Sequence, residues 1–240
     1  MLKKSSAWAV HLLTASGVLV ALLTLLEIHQ HHFINALWLM CAAIFIDAID
    51  GTLARLVDIK RVLPHIDGAL LDNIVDFLNY VVTPCFFIAL APNQVLPMMT
   101  WPVIIMVSLT SCYQFTQQDA KTKDHFFKGF PCYWNLVVLY LFVFSVPGNI
   151  GTAILITLSM LVFVPMKYVY PSRLENLSHV PWLKTVMFIA SVMYGFHCLL
   201  MLTFYPDIPW YLIAYSVAYI LFYLTFSLLR TIIPLIKKQN

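Results

Sequence analysis

Asp47-Ala48-Ile49-Asp50-Gly51-Thr52-Leu53-Ala54-Arg55, followed after twelve residues by Gly68-Ala69-Leu70-Leu71-Asp72-Asn73-Ile74-Val75-Asp76, is the stretch that decides how this chain folds. On a helix, Asp47 and Asp50 lie three apart and share a face, and Asp72 and Asp76, four apart, share another. Both pairs sit among apolar residues. A charged carboxylate near a bilayer centre costs roughly 2.5–3.5 kcal/mol on insertion scales, so four of them need a compensating partner. One or two divalent cations with oxygen ligands suit a carboxylate cluster. The stretch reads as a metal site inside a membrane protein.

The rest of the chain agrees. Of its 240 residues, 61% are hydrophobic and only 10% charged. Apolar runs of about 18–25 residues, each long enough to span, recur along it. They fall near 8–26, 33–50, 69–91, 97–115, 131–147, 150–167, 185–204 and 210–233. The expectation is an all-α, polytopic integral membrane protein of about eight transmembrane helices. Residues 1–240 are expected to form a single membrane-embedded catalytic domain, with the active-site hairpin at about 40–90. Short termini leave no room for a separate soluble domain. The first apolar run lacks a small-residue cleavage site, so no cleaved signal peptide is expected.

Charge sets the orientation. Eight spans place all fourteen cations on one side: Lys3, Lys4, Arg55, Lys60, Arg61, Lys121, Lys123, Lys128, Lys167, Arg173, Lys184, Arg230, Lys237 and Lys238. The opposite loops, near 27–32, 92–97, 147–150 and 205–209, hold none. By the positive-inside rule both termini and the aspartate hairpin face the cytoplasm. A net charge of +3 fits anchoring to anionic lipid and argues against nucleic-acid binding. The five cysteines are scattered, with no Cys-x-x-Cys, and are expected to be buried and inert.

The spacing around the aspartates narrows the chemistry. Two antiparallel helices joined by a loop of about 51–68 bring the two pairs face to face. Six of the eleven acidic residues lie between 47 and 76, which speaks against chance clustering. Gly51 and Gly68 allow close approach to the backbone. Ala54 leaves space one turn from Asp50, and Arg55 offers a planar fork suited to phosphate. Metal, arginine and small residues together point to a diphosphate held between carboxylate-bound cations. Two other readings stay open at this level. The carboxylates could pair with Arg55, Lys60 and Arg61, or they could form the ion pathway of a transporter.

The pattern closely resembles the signature of the CDP-alcohol phosphatidyltransferases, Asp-x-x-Asp-Gly-x-x-Ala-Arg followed by Gly-x-x-x-Asp-x-x-x-Asp. All eight signature positions are present. The spacer between Arg55 and Gly68 is longer than in most of the family and is similar to that of the bacterial phosphatidylcholine synthase branch. Asp119-Ala120-Lys121-Thr122, Phe127-Lys128-Gly129-Phe130-Pro131-x-Tyr133-Trp134-Asn135 and Tyr170-Pro171-Ser172-Arg173 look like the same branch. The resemblance implies transfer of the phosphatidyl group of CDP-diacylglycerol to choline, giving phosphatidylcholine and CMP. It implies Mn²⁺ or Mg²⁺, two ions, on Asp47, Asp50, Asp72 and Asp76, with Asp76 also the general base. It implies that Gly51, Ala54, Arg55 and Gly68 shape the CDP site. It also implies a bacterial inner-membrane enzyme, and a homodimer, since members are often dimeric.

Choline carries no ammonium hydrogen-bond donor, so aromatic faces, with or without a carboxylate, should recognise it. Tyr80, Tyr113, Tyr133, Trp134 and Tyr168 are the candidates in the cytoplasmic half; the alternative for each is an interfacial anchor or packing residue, since Trp and Tyr are common at that depth. Lys128 and Arg173 are candidates for lipid phosphate, or simply positive-inside charge. The acceptor could instead be serine, glycerol 3-phosphate or inositol phosphate, which would want extra cations. A membrane ion or solute transporter is the alternative of another class. Glu27-x-His29-x-His31-His32 lies in a far-side turn without a second cluster, and His11 and His197 are expected to be packed or hydrogen-bonded.

Overall fold

The computed structural model describes residues 2–171, 173, 174, 176–178 and 180–233. Ser172, Lys237 and Lys238, used above, lie outside the described residues. The elements in order are α1 (Leu2–His29), α2 (Phe33–Val57), α3 (Ile59–Val62) and α4 (Gly68–Phe77). A π-helical turn, Leu78–Val82, joins α4 to α5 (Thr83–Leu90). Then follow α6 (Thr100–Thr116), β1 (Phe126–Lys128), α7 (Trp134–Val143), α8 (Gly148–Leu161), β2 (Lys167–Val169), α9 (Pro181–Phe204) and α10 (Trp210–Ile232).

Among the described residues, six helical runs are long and apolar enough to cross a membrane: Lys3–His29, Phe33–Val57, Gly68–Leu90, Pro97–Thr116, Pro181–Phe204 and Trp210–Ile232. They correspond to six of the eight expected spans, and the protein is an all-α polytopic membrane protein. The stretches at 131–147 and 150–167 are apolar but hold shorter helices. At 1.5 Å per residue, α7 and α8 reach about 15 and 21 Å, short of a core about 30 Å thick. The chain spends the missing residues elsewhere. Cys132 takes a positive φ of 57° before α7, Ser145 takes 46° after it, and 167–169 leave the helix to form β2.

The chain divides into two compact units, Met1–Ser111 with Tyr133–Ala153, and Cys112–Cys132 with Ile154–Asn240. In the first, α1 buries Ala7, Val10, His11, Thr14, Gly17, Ala21, Thr24 and Ile28, a stripe at the three-to-four spacing of one helix face. This face meets α2, α3, α4 and the π turn: Ala7 and Val10 form a core cluster with Ile59 and Leu63, against which Leu53 and Ala54 pack, and Asn79 of the π turn donates from Nδ2 to the Gly17 carbonyl at 3.0 Å.

In the second unit β1 and β2 pair antiparallel, with Phe126 opposite Val169 and Lys128 opposite Lys167. Three hydroxyls spaced four apart on α10 serve β2. Tyr223 donates to the Val169 carbonyl, while Ser227 and Thr231 accept from the Val169 and Lys167 N–H groups. Phe126, Val169, Leu177 and Met187 form the core beneath.

Candidate functional site

The expected loop at about 51–68 is largely helical. α2 continues through Gly51, Ala54 and Arg55 and stops only at Asp58, which takes a left-handed conformation (φ 54°) and donates its N–H to the Ala54 and Arg55 carbonyls. The signature's first half therefore lies on one helix. Its second half starts α4, where the Asp67 carboxylate accepts from the Ala69 and Leu70 N–H groups. That cap pins the helix start and therefore the directions of Asp72 and Asp76. The sequence did hold the signal, an aspartate immediately before an apolar-periodic run.

The two helices bring three of the four signature aspartates together. Asp47, Asp50 and Asp72 each offer a carboxylate oxygen, and these oxygens lie within 4.8 Å of one another. Asp50 is buried (4% exposed), and Asp47 and Asp72 are half-buried. Asp76 sits one turn further along α4, outside this group. At an effective dielectric constant near 20, two carboxylates this close repel by on the order of 3 kcal/mol. A donor set of hard oxygens with that much mutual repulsion fits a divalent cation.

Asp47 is also held from outside. The Tyr80 hydroxyl donates to its Oδ2 at 2.8 Å. Tyr80 is 8% exposed and belongs to the π turn Leu78–Val82, which inserts a residue into the helical register just after Asp76. Its ring lies 6.2 Å from that of Tyr133, tilted by 49°. Sequence reasoning valued Tyr80 for its aromatic face alone and missed this hydroxyl, because its acceptor lies on another helix, 33 residues away.

The remaining site residues are placed as follows. Arg55 is exposed and donates to Thr52 Oγ1 at 3.0 Å. Ala54 packs with Ala7 and Val10 of α1, and Gly68 lies against the His11 ring. Trp134 is fully buried, its indole N–H donating to Ser111 Oγ at 2.8 Å. In the second unit, Tyr113 is exposed with its ring 5.1 Å from Phe163. Tyr168 is buried beside Phe130, and burial pushes its phenol up to about 12, so it stays neutral. Lys128 donates to Asp119 at 2.6 Å; that bond holds the Asp119 carboxyl below its ordinary range and raises Lys128. Arg173 is half-buried. Burial alone would raise Asp124, but its bonds with Lys167 and Thr122 hold it low.

Comparison with known proteins gives a consistent picture. The family model for CDP-alcohol phosphatidyltransferase matches residues 8–231. A phosphatidylcholine synthase of Legionella pneumophila is 47% identical over 98% of this chain and 92% of its own length. The phosphatidylcholine synthase of Legionella bozemanae is 53% identical over 90% of this chain and 99% of its own. That of Borreliella burgdorferi is 39% identical over 71% of this chain and 73% of its own.

Proposed function

Because the chain belongs to the CDP-alcohol phosphatidyltransferase family, we propose that it transfers the phosphatidyl group of CDP-diacylglycerol to choline, with residues 1–240 acting as one catalytic domain. The observation that carries this reading is the group of Asp47, Asp50 and Asp72 within 4.8 Å, built by the family signature on α2 and α4, which both pack against α1.

The reaction joins the choline oxygen to the phosphorus that bears diacylglycerol and breaks that phosphorus's bond to CMP, which leaves. Asp47, Asp50 and Asp72 would hold divalent cations, Mn²⁺ or Mg²⁺ and two in number, with Asp76 contributing. Such ions, when bound, neutralise the diphosphate and the departing CMP. An alcohol is a poor nucleophile near neutral pH, and Asp76 accepts its proton as the new bond forms. Its place outside the three-carboxylate group supports that division of labour. Arg55, exposed at the end of α2, turns its fork to the diphosphate, and Gly51 and Ala54 leave room beside it. The buried hydroxyl of Tyr80 keeps Asp47 in place. The faces of Tyr80 and Tyr133 receive the trimethylammonium group. Both substrates then meet at the lipid boundary on the cytoplasmic face of a bacterial inner membrane, in a protein we propose to be a homodimer.

Purified protein given CDP-diacylglycerol and Mn²⁺ is expected to release CMP with choline as acceptor, and not with serine, glycerol 3-phosphate or inositol phosphate. Release with another acceptor would keep the metal site and overturn the choline reading. Folded protein that releases no CMP with any acceptor would overturn the enzyme reading and favour a transporter.

A further inference from the structure

His11 is a buried polar group that the mechanism above leaves unused. It lies in the buried stripe of α1, with 6% of its surface exposed. Its Nε2 is buried and has no hydrogen-bond partner among the described residues. An unpaired buried polar atom of this kind costs about 1–3 kcal/mol, so the fold alone gives no reason to keep a histidine there. Leucine or phenylalanine would fill the space without the penalty.

Its neighbours show what the nitrogen is for. A Cβ built on Gly68 would stand 3.0 Å from His11 Cε1 and 3.7 Å from Nδ1. The missing side chain of this signature glycine is therefore occupied by the imidazole. On the same helix, Ala7 and Val10 belong to a core cluster, completed by Ile59 and Leu63, against which Ala54, the signature's alanine, packs. His11 thus touches Gly68, and its neighbour Val10 belongs to the cluster that holds Ala54; the signature assigns both positions to the nucleotide site. It does not belong to the three-carboxylate group of Asp47, Asp50 and Asp72. The trimethylammonium end of choline has no N–H to satisfy an imidazole nitrogen, its one hydroxyl is given above to Asp76, and lipid tails have no polar atoms at all. A nucleoside diphosphate offers donors and acceptors on base, ribose and phosphate.

We infer that His11 is a nucleotide-binding residue outside the signature: its Nε2 hydrogen-bonds the cytidine diphosphate part of the lipid substrate, and Gly68 lacks a side chain to admit the imidazole. The assignment rests on the CDP-alcohol reading of the site. It makes the N-terminal half of α1 part of the substrate site, whereas the signature itself begins on α2.

The test is calorimetric titration of CMP into purified protein with Mn²⁺, on wild type, His11→Phe, His11→Gln and Gly68→Ala. His11→Phe keeps a ring of similar size and removes both nitrogens. Loss of one hydrogen bond to the ligand is expected to weaken CMP by roughly tenfold. The KM for CDP-diacylglycerol should rise in parallel, with the choline KM and the Mn²⁺ affinity by electron paramagnetic resonance within twofold. The melting temperature should not fall, because no internal bond is removed. His11→Gln should regain part of the affinity. Gly68→Ala, which displaces the ring while leaving the nitrogen, should weaken CMP too, and it serves as the readout if His11→Phe fails to fold. Unchanged CMP affinity in a folded His11→Phe, or in Gly68→Ala where that stands in for it, overturns the inference alone. Wild-type protein that binds no CMP overturns it together with the nucleotide reading of the whole site.

Discussion

Tyr80→Phe separates the two things Tyr80 does. The substitution deletes the 2.8 Å bond to Asp47 Oδ2 and leaves the ring beside Tyr133. A hydrogen bond to a charged group contributes about 1.5–3 kcal/mol, a factor of roughly 10–160 in an equilibrium constant. Partners of metal ligands lose about 10–100-fold in metal affinity or activity when removed, so two independent estimates overlap. The Mn²⁺ concentration giving half-maximal CMP release should therefore rise by about 10–100-fold, with the rate at saturating Mn²⁺ largely restored. The choline KM should stay within twofold, because the aromatic face is intact. Tyr80→Leu removes face and hydroxyl together and should raise both quantities. Binding of Mn²⁺ followed by electron paramagnetic resonance reads the same effect without turnover. If Tyr80→Phe leaves the Mn²⁺ requirement within twofold of wild type, Asp47 does not need its hydroxyl, and the π turn has another purpose.

Three further outcomes follow from other parts of the chain. Asp76→Asn should abolish CMP release while the protein stays folded and membrane-inserted; near wild-type turnover removes Asp76 as the base. Gly129→Ala should lower the melting midpoint by on the order of 5 °C, because Gly129 sits at φ +78° and a Cβ there would collide with the Val162 carbonyl oxygen. Asp124→Asn tests the pair with Lys167. Asp124 is held below the ordinary carboxylate range when folded, so its contribution is present above about pH 4 and is lost as pH falls through the lower folded value. Wild type should thus melt higher than Asp124→Asn at pH 6–8, and the gap should close in acid. A gap that widens in acid would contradict the assignment.

What the sequence could and could not show divides along physical lines. The meeting of Asp47, Asp50 and Asp72 was legible because it depends on local period alone: two amphipathic pairs on adjacent helices have few other ways to hide their charge. The end of α2 was misplaced because the apolar run closes at 50, whereas the helix continues to Val57 through Gly51. Its cost in a helix is only about 1 kcal/mol, and the packing of Leu53 and Ala54 against α1 exceeds it. The short α7 and α8 escaped a hydropathy count because apolar residues at their ends serve turns and the β1–β2 pair, and strand pairing between 126–128 and 167–169 is a long-range contact that no window sees. The roles of the Tyr80 hydroxyl and of His11 were hidden for a common reason. Each residue is ordinary-looking in an apolar helix, and its meaning lies in a partner 33 or 57 positions away, Asp47 for one and Gly68 for the other. The signature marks the residues proposed to touch the diphosphate. The side chains that hold those residues, or share their work, come from the helix register and from α1. A change at His11 or Tyr80 should therefore alter nucleotide or metal affinity in a chain whose signature is intact.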